Sequence, residues 1–302
     1  MSAKNRLEKL LGAVAAGGFL FDRYFGPKEG QGNKPIEPQT NLSMHAPTVI
    51  VPKPDVDFDT YVGLPYKNSD ILEIKKVSLG AIPASLENIV DLMEGRDHLF
   101  YVVLKDGNRL LAKPYKSSTE REALAELHGS DVSLSYVSQE ADNKYFIEEV
   151  SKFPTMESAL ESHRMSLSQA SGLFGEALYL VHHRGISDNK SYNNRVFVQI
   201  SGRQVKVADF SHASIASNTN DFVSDMVRAL FYIESLAVRH NITKKDLSEA
   251  IDSFSTNYTS RGDVAYRVGK FSAHEVRTGD VLVTAFDSIR DHHKDSLLAE
   301  RH

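Results

Sequence analysis

The chain contains no cysteine. That excludes disulfide scaffolds, Cys-ligated zinc or iron–sulfur centres, and thiol nucleophiles. It fits a reducing compartment, so a cytoplasmic location is expected. Charge of one sign is also scarce in excess: 35 Lys plus Arg stand against 40 Asp plus Glu, a net −5. Non-specific nucleic-acid binding draws its affinity from phosphate neutralisation, so no specific nucleic-acid partner is expected. There is no internal repeat, no long block of like charge, no His-Glu-x-x-His and no Gly-x-Ser-x-Gly. The metalloprotease and serine-hydrolase readings therefore have no support. The run Leu10–Phe21 is twelve residues without a charge, short of the ~20 a spanning helix needs.

What is present is enough for a sizeable core: 302 residues, 41% apolar and 25% charged. That length suits one large domain of two lobes or two ordinary domains. Leu7, Leu10, Leu11 and Val14 fall at helical spacing, predicting an amphipathic helix within residues 1–26. Packing on a partner or on its own domain is one role for it. Peripheral membrane contact through Phe19, Phe21, Tyr24 and Phe25 is the other. Six of the ten prolines lie between Pro27 and Pro54, which predicts an extended linker over 27–60.

From 61 to 150 the pattern is strand-like. Leu99–Leu104 and Arg109–Tyr115 flank Lys105-Asp106-Gly107-Asn108, where Asp-Gly supplies the backbone angles of a tight hairpin. Thr119–Leu127 reads as a short helix capped by Ser117, Ser118 or Thr119, and Lys144–Ile147 as another strand. From 151 to 302 the character is helical. Leu167, Ala170, Leu173, Phe174, Ala177, Leu178 and Val181 form one stripe that stops at Gly185. A polar loop, Ser187–Asn194, precedes strands at Val196–Ile200 and Val205–Ala208, with further helices at Val223–Val238 and Lys244–Phe254. The fold class is α+β, a strand-rich lobe followed by a helical one, with a cleft between them.

Phosphoryl transfer from ATP needs a cation on the phosphates, oxygen ligands for magnesium, and a carboxylate near the attacking hydroxyl. Lys113 can meet the phosphates while Glu122 positions it. Asn193 and Asp209 are hard oxygen ligands. Asp188 can orient the nucleophile's proton, and Lys190 can offset charge on the moving group.

In this order the motifs resemble the protein-kinase-like superfamily. Asp188-Asn189-Lys190-Ser191-Tyr192-Asn193 resembles the catalytic loop Asp-x-Lys-x-x-Asn, and Asp209-Phe210-Ser211 the metal-binding Asp-Phe-Gly. Ala112-Lys113 is similar to the ATP-anchoring strand, and Glu148-Glu149-Val150 to the hinge that meets adenine. Gly95, within Glu94–His98, marks the phosphate-covering loop, and Asp225 resembles the helix Asp that braces the catalytic loop. Sixteen positions separate Asp209 from Asp225, as in the compact atypical members: RIO kinases, the KEOPS-complex kinase, lipopolysaccharide-core kinases and aminoglycoside phosphotransferases. The resemblance implies a bilobal kinase-like fold, ATP and Mg2+ as cofactors, and transfer to a hydroxyl-bearing acceptor, protein or sugar. A second register is open. Read without gaps from His183-Arg184-Gly185-Ile186, it sets Lys190 and Arg195 where the family's Asp and Asn stand. It implies a catalytically inactive pseudokinase that binds nucleotide or a partner protein.

Overall fold

The computed structural model describes residue 59 and residues 66–77, 99–128, 130–137, 145–148, 153–201, 203–268 and 272–299. The expected helix within 1–26, nearly all of the linker 27–60, Gly95 and Val150 lie outside the described residues. One unit runs from Val51 to Asp287; of a second, which takes in Ser288–His302, the described part is the end of the last helix.

Alternation and turn chemistry build the first half. Strand β1 (Ile71–Val77) pairs antiparallel with β2 (Leu99–Leu104), and β2 with β3 (Arg109–Pro114). The β2–β3 turn is closed by Gly107 N–H donating to the Leu104 carbonyl at 2.9 Å, with Gly107 at φ +86°. That backbone region is open to glycine without steric cost. Helix α1 (Ser118–Glu126) follows, and Ser117 caps it by accepting the Glu120 N–H at 3.1 Å. Strands β4 (Ser135–Val137) and β5 (Tyr145–Glu148) complete a five-stranded antiparallel sheet of order β1-β2-β3-β5-β4. Its core side holds Ile74, Phe100, Val102, Leu104, Leu110, Ala112 and Ile147.

The second half is mainly helical. After α2 (Met156–Glu161) comes α3 (Leu167–His183), opened by a capping box between Ser166 and Gln169. It stops at Gly185, φ +71°. The apolar stripe read from the sequence is its buried face, including Leu167, Ala170, Phe174, Ala177, Leu178 and Val181. Two short antiparallel ladders follow. Strand β6 (Ile186–Asp188) pairs with β9 (Ala213–Ile215), and β7 (Val196–Gln199) with β8 (Gln204–Val207). Then come α4 (Thr219–Arg239), α5 (Lys244–Thr259), the hairpin β10 (Asp263–Val268) with β11 (Ser272–Arg277), and α6 (Thr278–Ala299).

Helices α3 and α5 approach closely because Gly172 and Gly175 carry no side chain. A Cβ on Gly175 would stand 2.3 Å from the Phe254 carbonyl oxygen, and one on Gly172 2.5 Å from Ser253 Oγ. Phe174, between the two glycines, meets Tyr192, Tyr232 and Phe254 edge-on or tilted at 5.0–6.0 Å. The two halves are stitched by backbone: Val207 N–H donates to the Val132 carbonyl at 2.7 Å, and Leu134 N–H to the Val207 carbonyl at 3.3 Å. This bonding holds β8, and with it Asp209 two residues later, next to the chain between α1 and β4.

The result is a mixed α/β fold, with strands dominating the first half and helices the second. Two expectations shift. The polar loop expected at Ser187–Asn194 begins as strand β6, so Ser187 and Asp188 are buried rather than solvated. The helix expected at Val223–Val238 begins earlier, at Thr219, because its N-cap is Asn218, and the one expected at Lys244–Phe254 starts at Lys244 after the Thr243 cap but runs on to Thr259.

Among the described residues, no helix is long and apolar enough to cross a membrane.

Candidate functional site

Lys113, near the end of β3, is fully buried beside Phe146 of β5, its ammonium 5.6 Å from the ring centroid. A buried ammonium needs a counter-charge, and Asp209 supplies one, with Lys113 Nζ 3.8 Å from Oδ1. The other carboxylate oxygen of Asp209, Oδ2, lies 2.7 Å from Lys190 Nζ. Asp209 itself sits in the left-handed backbone region at φ +56°, which Asp tolerates better than most residues. Three of the residues singled out in the sequence, Lys113, Lys190 and Asp209, thus converge on one carboxylate.

A third cation completes the arrangement. Arg195, at the start of β7, is 1% exposed, and its guanidinium is bonded wholly to the chain itself. Nε donates to the Ala208 carbonyl at 3.0 Å and Nη1 to the Ser191 carbonyl at 2.8 Å. Nη2 donates both to the Asp209 carbonyl at 2.5 Å and to the Asp188 carboxylate. Arg195 therefore ties β6 to the turn after β8. Burial alone would raise Asp209, yet Lys113, Arg195 and Lys190 together hold it well below the usual carboxylate range.

Asp188 lies differently. It is 1% exposed on β6, with Arg195 across its carboxylate. Burial pushes its carboxyl up to about 7, against the pull of Arg195. Its backbone N–H donates to Asp225 Oδ2 at 2.5 Å. Asp225, fully buried on α4, is raised by burial to about 8, opposed by that N–H and by Arg228. His182, at the end of α3, reaches the same Asp225 oxygen at 3.3 Å and the Tyr258 hydroxyl at 2.7 Å. Burial lowers His182 to about 3. A neutral ring serves both contacts, donating through Nε2 and accepting the tyrosine hydroxyl at Nδ1.

The remaining sequence candidates stand apart. Glu122 is on the exposed face of α1, and the buried carboxylate of that helix is Glu120, which accepts the Lys116 N–H at 2.6 Å. Glu120, Ala123, Leu124 and Leu127 are all buried and step by three, one and three. That spacing was the signal for Glu120 over Glu122. Asn193 is exposed, its N–H 3.4 Å from Ser191 Oγ, and among the described residues it has no hydrogen bond to Asp209. Glu148 is on β5, paired in register with Leu111 and Ser135. At the mouth of the site, Lys116 Nζ lies 2.9 Å from His212 Nε2. Burial first, then Lys116 and Lys190, lowers the His212 pKa.

Elsewhere among the described residues, Glu157, Glu161 and His240 bring ligand atoms within 4.8 Å of one another. Glu157 is already paired with Arg239 at 2.8 Å.

No family model matches the chain, and no curated protein matches its sequence. Among solved structures the chain is similar to that of WaaP in complex with acyl carrier protein. The two are 16% identical over 67% of this chain and 86% of that chain, with a TM-score of 0.43. Likeness of that degree assigns neither a family nor an activity.

Proposed function

We propose that this chain is a catalytically inactive domain of the kinase-like type, a binding module in which the chain's own cations stand where an active enzyme holds magnesium. The observation that carries the reading is Lys190 Nζ at 2.7 Å from Asp209 Oδ2, with Lys113 on the other oxygen. A divalent ion needs carboxylate oxygens open to it and further hard oxygen donors beside them. Here both oxygens of Asp209 face ammonium groups, and the neighbouring position is filled by the Arg195 guanidinium. Asn193, the other oxygen donor read from the sequence, is exposed and has no hydrogen bond to Asp209 among the described residues. The residues present do not fit a magnesium ion.

The general base fares no better. Asp188 is buried, its backbone is held by Asp225, and its Oδ2 is taken by Arg195, while Oδ1 is buried without a hydrogen-bond partner among the described residues. It has no path to a hydroxyl substrate. These contacts favour the gap-free register, in which Lys190 and Arg195 occupy the places of the catalytic Asp and the metal-binding Asn. The kinase-like reading of the fold rests on the motif order together with the sheet order β1-β2-β3-β5-β4, α1 between β3 and β4, and the brace from Asp225.

The test incubates the full chain with γ-labelled ATP and Mg2+ or Mn2+, beside Asp209→Asn, and follows hydrolysis, self-labelling and melting temperature. The expected result is no turnover above the Asp209→Asn background. Any ATP-induced melting shift should be equal with Mg2+ and with EDTA. Magnesium-dependent phosphoryl transfer that Asp209→Asn abolishes would restore the alternative, an ATP- and Mg2+-dependent phosphotransferase acting on a hydroxyl acceptor.

A further inference from the structure

A cavity lies where α3 and α5 meet the β7–β8 turn, and none of the residues around Asp209 lines it. Its volume is about 440 Å³, within the range of about 300–1,000 Å³ typical of small-molecule sites. Gly172 of α3 and Ser253 and Asn257 of α5, which pack closely on one another, form part of its lining. Leu173, Ile200 and Met165 give it apolar walls.

Two exposed arginines are among its lining residues. Arg164 lies two residues ahead of the Ser166 cap of α3, and Arg203 lies in the β7–β8 turn at φ +48°. No Asp or Glu lines the cavity. Neither guanidinium has an ion pair or a side-chain hydrogen bond among the described residues. Arg195, Arg239 and Arg228, by contrast, each have a carboxylate oxygen within 3.4 Å. Two guanidiniums over an apolar hollow, with amide and hydroxyl donors below, match one ligand chemistry. The guanidinium fork takes a carboxylate or phosphate, and the walls take a hydrocarbon body.

We propose that this cavity is a binding site for a small amphiphilic anion, a carboxylate or phosphate monoester bearing an apolar chain of about eight carbons or fewer, held at its head by Arg164 and Arg203. The site is independent of the cleft around Asp209 and of the reading given to it.

Isothermal titration of the full chain at low salt, with octanoate and with octyl phosphate as separate probes, tests this and tells the two head groups apart. Octan-1-ol and inorganic phosphate are the controls. At least one amphiphilic anion should saturate at one equivalent and bind at least tenfold more tightly than either control. The double variant Arg164→Gln/Arg203→Asn should lose at least tenfold in affinity with an unchanged melting temperature, since Asn suits the positive φ at 203. Excess ATP should leave binding unaltered. Failure of both anions to saturate, equal binding by octan-1-ol, unaltered affinity in the double variant, or competition by ATP would each overturn the proposal.

Discussion

Arg195 and the pair Arg164/Arg203 sit in the same half of the molecule and are chemically identical, yet they are used in opposite ways. Arg195 is 1% exposed, and its guanidinium nitrogens donate to Ala208, Ser191, Asp209 and Asp188. Four of its five N–H donors are thus spent inside the chain. Arg164 and Arg203 are exposed at the rim of a cavity and bonded to no side chain among the described residues. A guanidinium desolvated by folding must find its acceptors within the chain, so it becomes part of the structure. One left at a cavity mouth keeps its donors for something that arrives later. The difference separates the two regions: the charges around Asp209 are paired with one another, whereas the two arginines at the α3–α5 cavity have no ion pair among the described residues.

The contrast breaks most sharply at Arg195→Met. Removing the cation leaves Asp188 buried without its partner, and losing one member of a buried pair costs about 3–5 kcal/mol. The sign of the pH dependence follows from Asp188, already raised by burial to about 7. A carboxyl whose folded pKa lies above its unfolded value costs stability as pH rises between the two. Without Arg195 that gap widens, so chemical denaturation should show a larger loss at pH 8 than at pH 5. By comparison, Arg164→Gln should change stability by no more than about 0.5 kcal/mol, as is usual for an exposed site. A loss below about 1 kcal/mol for Arg195→Met would erase the distinction.

A smaller effect sharpens the picture of the open region. Gly175→Ala places a Cβ 2.3 Å from the Phe254 carbonyl oxygen, and backbone yields less readily than side chains. Overpacking of this kind costs about 1–3 kcal/mol in thermal or denaturant unfolding. An unchanged midpoint would mean that α3 and α5 separate easily and that the cavity beside them is not a fixed shape.

Much of this was legible beforehand, and the exceptions have physical causes. The Asp106-Gly107 turn, the Ser117 cap and the stripe from Leu167 to Val181 are local signals, and the structure has those elements where they point. Lys113, Lys190 and Asp209 were readable from motif order and do meet. Strand β6 was not readable, because Ile186-Ser187-Asp188 is too short to display a period of two and looks like a polar loop. Its burial comes from pairing with β9, some twenty-five positions later, and from Arg195, a residue whose destination depends on tertiary contacts. Glu122 is the helix carboxylate named from the sequence, whereas the buried one is Glu120, on the face marked by Ala123, Leu124 and Leu127.

The smallest effect expected is an absence. His182 is another group whose contacts are all internal, lowered by burial to about 3. Its ring resonances should not titrate between pH 5 and 8 in heteronuclear NMR. The unfolded chain takes up a proton near 6.5 that the fold refuses, so this group withdraws stability as pH falls from 6.5 toward 3. A titration midpoint near 6.5 would show that the pocket formed by Asp225 and Tyr258 is open to water.

The account turns on whether Asp209 is already neutralised by the chain. Electron paramagnetic resonance of Mn2+ titrated with ATP into the full protein measures this directly. The signal of bound ion should be the same for the wild type and Asp209→Asn, whereas Lys190→Asp combined with Arg195→Asn should create a bound signal that neither has. A wild-type Mn2+–ATP signal that disappears in Asp209→Asn would contradict the account.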